Sequence, residues 1–241
     1  MAENSGAAVV VGAGPGLGSA LARRFARAGM KVAVARRNGG ELEGLTKELG
    51  AGARAYSCDA TDEAAVQKLF AAVAGDLGAP TLVAFNAAGS IRKGVLETTA
   101  AEFERCWKNI CMGGFLVGRE AARVMLGNSM ERRHRGTLIF TGATGALRGG
   151  ANFLNMAVGK FGLRALAQSM AREFQPQGIH VAHVVIDGQI ESDRPGRSMA
   201  ERGADAVLSP NAIAESYYQL HLQAPSAWTL ELDLRPYVEK F

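Results

Sequence analysis

The segment Val11-Gly12-Ala13-Gly14-Pro15-Gly16-Leu17-Gly18 joins a short apolar run to a segment with helical periodicity. Glycines let a backbone approach a bound group without Cβ clashes, and amides at the start of a helix attract phosphate. A strand, a glycine-rich turn and a helix in this order predict a dinucleotide-binding loop. The residues expected at the cofactor are Gly12, Gly14, Gly16, Leu17 and Gly18. A turn that needs glycine only for tight packing is the alternative.

Short apolar or β-branched runs alternate with amphipathic segments along the rest of the chain. The runs cover 7–11, 31–35, 54–57, 82–85, 137–140 and 180–186. A last run, Trp228 to Leu234, alternates apolar and polar residues between two prolines, which is typical of a half-exposed edge strand. The pattern predicts an α/β fold, a Rossmann-type doubly wound parallel sheet of about seven strands, as one domain over residues 1–241. The least periodic segment, Gly188 to Pro210, is expected to be a substrate lid.

Composition narrows the class of protein. The chain has 241 residues, 48% hydrophobic and 21% charged, which is enough for a full core. Its net charge of +4 is mild, and the basic run Arg132-Arg133-His134-Arg135 is interpreted as a solvated turn, so no nucleic-acid partner is expected.

The cysteines and the N-terminus indicate the compartment. Cys58, Cys106 and Cys111 form no CxxC motif or Cys/His cluster, which favours buried free thiols and predicts no metal site. The first residues carry no secretory leader, and no run of 18 apolar residues occurs. We therefore expect a cytoplasmic protein without a membrane partner.

Several motifs, in order along the chain, resemble those of the short-chain dehydrogenase/reductase superfamily. The glycine spacing matches Thr-Gly-x-x-x-Gly-x-Gly, with Val11 replacing the threonine, and Asn86-Ala87-Ala88-Gly89 resembles Asn-Asn-Ala-Gly. Asp187-Gly188-Gln189-Ile190-Glu191-Ser192 resembles Pro-Gly-x-x-x-Thr, with Asp187 replacing the proline. The resemblance implies a nicotinamide cofactor. Residues that it assigns to the cofactor are Asn86, Ala87, Ala88, Gly89, Lys160, Gly188, Ile190 and Ser192.

The second run ends in Ala35-Arg36-Arg37-Asn38, where relatives that bind NAD(H) carry an acid for the ribose hydroxyls. A 2′-phosphate needs cations instead, so Arg36 and Arg37 favour NADP(H) over NAD(H). Two solvated arginines are the alternative. The resemblance assigns Asp59, with Ala60 beside it, to the adenine, whereas Asp62 is the better candidate for a helix N-cap.

The catalytic motif is altered. In Phe153-Leu154-Asn155-Met156-Ala157-Val158-Gly159-Lys160, Met156 stands at the tyrosine of the family's Tyr-x-x-x-Lys. A thioether cannot donate a proton, whereas Lys160 can still orient a ribose. The family's serine falls on Gly142, or on Ala143 if counted back from Met156.

The family's asparagine position is altered as well. It falls on Ile110, with Asn109 one residue early, which is about 100° of helix rotation. Carbonyl reduction without its proton donor should lose on the order of 10²–10⁴ in rate.

Two functions remain open. The first is an oxidoreductase that transfers hydride to or from an unknown small or mid-sized carbonyl or activated C=C substrate. The motif also resembles Tyr-x-x-Met-x-x-x-Lys of enoyl-thioester reductases, with Phe153 at the tyrosine. The second is NADP(H) binding without catalysis, as a scaffold or sensor. The candidate catalytic-site residues are Lys160, Met156, Asn155, Thr141 and Thr144, of which Asn155 and the two threonines are expected to contact the substrate.

Self-association is also expected. The segments 102–125 and 153–174 correspond to helices that pair between subunits in the family. Their apolar residues Phe115, Leu116, Phe161 and Leu166 exceed what one helix face needs against its own sheet. We therefore predict a homodimer or homotetramer.

Overall fold

The computed structural model describes residues 6–130, 134–193, 195, 197–203 and 205–239. Seven strands form one sheet: β1 (Ala7–Val11), β2 (Lys31–Arg36), β3 (Ala53–Ser57), β4 (Pro80–Phe85), β5 (Gly136–Thr141), β6 (Ile179–Ile186) and β7 (Glu231–Leu234). Their order is β3-β2-β1-β4-β5-β6-β7, and every pairing is parallel. The predicted fold class is confirmed. Arg132 and Arg133 of the basic run lie outside the described residues.

The strands form where the sequence is apolar because both faces of the sheet are buried. In β1, Val9 and Val11 pack into one core, while Ala8 and Val10 pack into the other. Runs without polar alternation are typical of such parallel strands. The edge strand β7 is half-exposed, as predicted, but it is shorter than the predicted 228–234. The ring of Trp228 instead stacks on His180, with ring centroids 5.0 Å apart.

Eight α-helices cover the two faces in the described part of the chain. They are α1 (Leu17–Arg27), α2 (Glu43–Leu49), α3 (Glu63–Asp76), α4 (Ala100–Trp107), α5 (Gly113–Leu126), α6 (Leu154–Phe174), α7 (Met199–Arg202) and α8 (Pro210–His221). Helices α3, α5 and α6 pack on one face, whereas α1 and α8 pack on the other. This is the doubly wound arrangement.

The long helix predicted over 102–125 is interrupted. A π-helical turn, Lys108–Met112, separates α4 from α5. Ile110 at its centre is fully buried, and a Cβ on Gly159 of α6 would lie 3.0 Å from its side chain. Such turns occur frequently at functional sites, and a wider turn changes where each side chain points. The directions of the Asn109 and Ile110 side chains are therefore set by the π turn and not by the 100° rotation of an ideal α-helix.

The sheet sets the location of the site. The chain runs outward from β1 to β2 on one side and returns to β4 on the other, so the strand order switches between β1 and β4. Ligands of open α/β sheets bind at the carboxyl ends of the strands beside such a switch. The segment predicted as a lid lies at the same edge and ends at residue 209, because Pro210 is the first residue of α8. Arg194, Gly196 and Ala204 of that segment lie outside the described residues.

Candidate functional site

The glycine loop connects β1 to α1 and is held against the loop that follows β4. Gly12 has φ +87°, and a Cβ there would lie 2.6 Å from the backbone nitrogen of Ala87. The Asn86 Nδ2 donates to the Gly12 carbonyl at 3.2 Å, and the Asn86 amide donates to Val11. The loops after β1 and β4 are thus joined at the switch point, as the sequence motifs imply.

The outer part of the glycine loop is open. A Cβ on Gly14 or Gly16 would meet no atom of the described residues within 4 Å. The first turn of α1, which is described in full, carries no acidic side chain that would repel phosphate. The loop is braced from below, where the Ser19 hydroxyl donates to the Gly14 carbonyl at 2.8 Å. Open backbone at a helix N-terminus is suited to a pyrophosphate.

Asn109 lies beside the loop that follows β4, whereas Ile110 faces α6. A Cβ on Gly89 would lie 3.3 Å from the Cβ and 3.4 Å from the Nδ2 of Asn109. The π turn therefore presents Asn109 to the loop after β4, while its neighbour Ile110 packs into the core. Only the break in helical periodicity could have revealed this, and the sequence carries no clear signal for it.

The end of β2 carries the two arginines. The Arg36 Nη1 lies 2.8 Å from the Glu41 Oε2, so this guanidinium already forms an ion pair within the protein. Arg37 is exposed and has no hydrogen-bond or ion-pair partner among the described residues. The pairing of Glu41 with Arg36 leaves no pattern in the sequence, because Glu41 lies five residues later in a turn.

The two aspartates after β3 have different roles. Asp62 is the N-cap of α3, where its carboxylate accepts from the amides of Ala64 at 2.9 Å and Ala65 at 3.2 Å, and the predicted cap is confirmed. Asp59 is exposed, and its Oδ1 accepts from the amide and hydroxyl of Thr61. This turn leaves Asp59 at the carboxyl end of β3, beside the half-buried Ala60.

The loop after β6 contributes the other end of the cleft. Gly188 packs against Pro236, and Ile190 forms a bridge with Leu208. The buried Oγ of Ser192 has no hydrogen-bond partner among the described residues. An unpaired buried hydroxyl is costly, and the family resemblance assigns this one to the nicotinamide carboxamide. Together with the open glycine loop, it means that the described residues fit a nicotinamide dinucleotide.

Lys160 is buried in α6. Its Nζ donates to the Thr141 carbonyl at the end of β5, over 2.5 Å. Burial lowers the pKa of Lys160 to about 8, because the charged form loses solvation. Met156, one helical turn earlier, is half-buried, with its methyl group against Gly145. The spacing that the motif requires is thus present, with a thioether where the family has a phenol.

The three expected substrate contacts all bind protein groups instead. The Thr141 hydroxyl is 2.8 Å from the hydroxyl of Tyr217, the Thr144 hydroxyl donates to Asp187 at 2.6 Å, and the Asn155 Nδ2 donates to the Ile91 carbonyl at 3.2 Å. Thr141 and Asn155 are also buried. The Asn155 Oδ1 has no hydrogen-bond partner among the described residues, and substrate contact by these side chains stays a prediction.

The two candidate positions for the missing serine differ sharply. Gly142 is buried against the ring of His183, whereas Ala143 is partly exposed. Neither ring nitrogen of His183 has a hydrogen-bond partner among the described residues. Burial lowers the pKa of His183 to about 4, opposed by Glu231, whose carboxylate lies 3.4 Å from Nδ1. His183 is not among the candidate site residues that the sequence motifs indicate.

The cysteines, the possible metal ligands and the apolar helices were also compared with the expectations from the sequence. Cys58, Cys106 and Cys111 are free thiols, and Cys111 is half-buried rather than buried as expected. Among the described residues, no group of three or more His, Cys, Asp or Glu side chains is positioned to hold a metal ion. None of the described helices is long and apolar enough to cross a membrane.

Comparison with known proteins extends over nearly the whole chain. The family model for short chain dehydrogenases matches residues 6–235. The 3-oxoacyl-[acyl-carrier-protein] reductase MabA of Mycobacterium tuberculosis is 33% identical over 200 residues, which cover 83% of this chain and 75% of the relative. The inactive 2-(S)-hydroxypropyl-CoM dehydrogenase 2 of Xanthobacter autotrophicus is 33% identical over 195 residues, which cover 81% of this chain and 82% of the relative.

The fold is matched by solved structures as well. The crystal structure of a short-chain dehydrogenase from Rhodopseudomonas palustris is 39% identical to this chain and covers 97% of it, and the match includes 100% of that protein with a TM-score of 0.81. The likeness therefore includes all the elements that form the site.

Proposed function

The chain belongs to the short-chain dehydrogenase/reductase family of oxidoreductases, and on that premise we propose that it binds NADP(H) and transfers hydride to or from a small or mid-sized substrate. The observation that carries the proposal is the open glycine loop after β1, at the same sheet edge as Arg36 and Arg37. A loop of this kind suits the pyrophosphate, and two arginines at the end of β2 suit a 2′-phosphate.

Different residues of the chain would bind different parts of the dinucleotide. Gly12, Gly14, Gly16, Leu17 and Gly18 would hold the pyrophosphate; Asp59 and Ala60 would meet the adenine. The loop from Asn86 to Gly89 and the residues Gly188, Ile190 and Ser192 would hold the nicotinamide end. Lys160 would orient the ribose. When bound, the nicotinamide supplies or accepts a hydride.

The absence of a proton donor at position 156 favours one class of substrate over another. Met156 has no proton to give, so reduction of an isolated carbonyl has no donor at this position. Reduction of an activated C=C adds hydride to the β-carbon and leaves negative charge on a conjugated oxygen, which a nearby cation stabilises until water protonates the α-carbon. Lys160 would supply that cation, since its Nζ is held at the end of β5 by the Thr141 carbonyl. We therefore favour an enal, enone or enoyl thioester over a saturated ketone.

NADP(H) binding without turnover is the second candidate. It is favoured by the hydroxyls of Thr141 and Thr144 and by the Asn155 Nδ2, which all have partners within the protein. A chain that retains the cofactor loop but offers no proton donor would act as a scaffold or sensor.

The test has two steps. Calorimetric titration should show that NADPH binds several-fold tighter than NADH, and that Arg36→Asp erases or reverses the preference. The loss of NADPH absorbance is then followed with enals, enones and enoyl thioesters, and with saturated ketones. Turnover of the unsaturated panel alone supports the oxidoreductase. Turnover of ketones at ordinary rates contradicts the importance of Met156, and tight binding without any turnover favours the second candidate.

We also propose a homodimer or homotetramer formed through α5 and α6. Phe115 is 40% exposed and Phe161 is 43% exposed on these helices, so both rings offer apolar surface that a second subunit would cover. Leu116 does not belong to this surface, because it is 5% exposed and packs in the core. Leu166 is half-buried.

A further inference from the structure

The cation expected to bind a 2′-phosphate is already paired within the protein. The Arg36 Nη1 lies 2.8 Å from the Glu41 Oε2, and the other carboxylate oxygen, Oε1, accepts from the Asn38 Nδ2 at 2.9 Å. Both oxygens of Glu41 are therefore engaged at the end of β2. The carboxylate stands beside the guanidinium rather than in the strand position where the family has its acid.

The turn that carries Glu41 is fixed to the body of the protein. Residues Gly39–Leu42 form a 3₁₀ turn after β2. The Gly39 amide donates to the Ser57 hydroxyl of β3 at 3.0 Å, and the Leu42 side chain is buried in the core, 2% exposed. Because the turn is anchored on both sides of Glu41, its carboxylate is held near Arg36 and does not depend on a mobile loop.

We infer that Glu41 is a specificity-determining residue that weakens the preference for a 2′-phosphorylated dinucleotide by competing for Arg36. The inference rests on the proposed cofactor site. A 2′-phosphate carries nearly two negative charges and must share or displace the Glu41 carboxylate to reach the guanidinium. A cofactor with a free 2′-hydroxyl meets no such repulsion, and a carboxylate can accept a hydrogen bond from it.

The size of the effect follows from the exposure of the pair. The Arg36 and Glu41 side chains are 32% and 52% exposed, so solvent screens their attraction, and the carboxylate repels the phosphate through water. Removal of one competing charge of this kind should change affinity by about two- to fivefold. Arg37, whose charge has no described partner, would remain to bind the phosphate in every variant that keeps it.

The test measures binding and needs no turnover. Dissociation constants for NADPH and NADH are determined by calorimetry for the native protein and for Glu41→Gln, which removes the charge and keeps a hydrogen-bonding side chain. Glu43→Gln is the matched control, because Glu43 is an equally exposed acid two residues away, at the start of α2. Arg36→Gln, alone and combined with Glu41→Gln, completes a double-mutant cycle.

We expect Glu41→Gln to tighten NADPH binding about two- to fivefold and to leave NADH binding nearly unchanged. Glu43→Gln should change neither constant, and the effect of Glu41→Gln should be smaller in the Arg36→Gln background, where only the direct repulsion between carboxylate and phosphate remains. An unchanged NADPH to NADH ratio, or equal effects of the two glutamate variants, overturns the inference while the proposed function stands. A native protein that binds NADH more tightly contradicts the proposed cofactor preference, yet a shifted ratio in Glu41→Gln still supports the inference. A native protein that binds neither dinucleotide overturns both.

Discussion

Gly142 lies directly against the ring of His183. A Cβ on Gly142 would stand 2.6 Å from the Cε1 and Nε2 of that ring and 2.9 Å from the Val184 carbonyl. Because His183 is buried in β6, its ring cannot move aside into solvent. The position therefore excludes any side chain, including the serine that the family motif would supply there.

We predict that Gly142→Ser lowers the free energy of unfolding by about 1–3 kcal/mol, as expected for overpacking of a filled core. Ala143→Ser, at the half-exposed neighbour, should change it by about 0.5 kcal/mol or less. Urea denaturation of both variants measures the difference. Equal stabilities would show that the ring of His183 yields, and would restore Gly142 as a candidate serine position.

The two aspartates after β3 should separate stability from binding. Asp62→Ala removes the N-cap of α3 and should cost about 1 kcal/mol in unfolding free energy, with dinucleotide affinity unchanged. Asp59→Ala should weaken dinucleotide binding while its effect on stability stays smaller. Denaturation and calorimetric titration of the same two proteins test both statements. A loss of binding in Asp62→Ala alone would reverse the assignment.

The stability of the protein should fall in mild acid, because its buried histidines are held neutral. Burial lowers the pKa of His221 to about 3, far below that of a free imidazole, and the neighbouring His134 and His180 shift it in the same direction. Below pH 6.5 His221 therefore binds a proton in the unfolded chain but not in the folded chain. Stability is fully present above about pH 6.5 and is lost as the pH falls from there towards 3.

This prediction is checked by denaturation at pH 7.5, 6 and 5. His221→Gln cannot take up a proton in this range and keeps a polar group near the Thr137 hydroxyl, which lies 2.9 Å from the His221 Nδ1. It should show a shallower loss of stability with falling pH than the native protein. Parallel curves would mean that His221 is protonated in the folded state.

The apolar surface of α5 and α6 should control assembly. Phe161→Glu places a charge among rings that are expected to be covered, so a dimer or tetramer should dissociate. Leu222→Glu is the control, because Leu222 is a 51% exposed apolar residue just after α8, on the opposite face of the sheet. Light scattering at micromolar concentration reports the mass. A native protein that is monomeric, or two variants that behave alike, contradicts the proposed interface.

The strands could be predicted from the sequence because their apolar runs are buried on both faces, as in Val9 and Val10 of β1. The cap at Asp62 could be predicted because it depends only on residues next to it. The contact of Gly142 with His183 could not, since it joins β5 to β6 and leaves no local pattern. Asn109 and Ile110 point in different directions, as their spacing predicts, but the approach of Asn109 to Gly89 was not predicted, because the π turn around Ile110 departs from ideal helical spacing.

The last prediction concerns the missing proton donor. Met156 and Lys160 lie one turn apart on α6, and Met156 is half-buried at the site end of that helix. Met156→Tyr combined with Ala143→Ser should therefore supply a phenol beside the lysine and a hydroxyl after β5, and should raise ketone reduction with NADPH by on the order of 10² or more. Ala143 is chosen because a serine at Gly142 would clash with His183.

The matched control is Met156→Phe combined with Ala143→Ser, which introduces the same ring without its hydroxyl. NADPH absorbance is followed with saturated ketones for the native protein and both double variants. Only the tyrosine variant should gain activity, and the gain should decline at high pH, where the phenol has lost the proton that it donates to the ketone oxygen. Equal gains in the tyrosine and phenylalanine variants would trace the change to the shape of the site. Absence of any gain, with NADPH binding retained, would show that the loss of the tyrosine is not what limits ketone reduction in this chain.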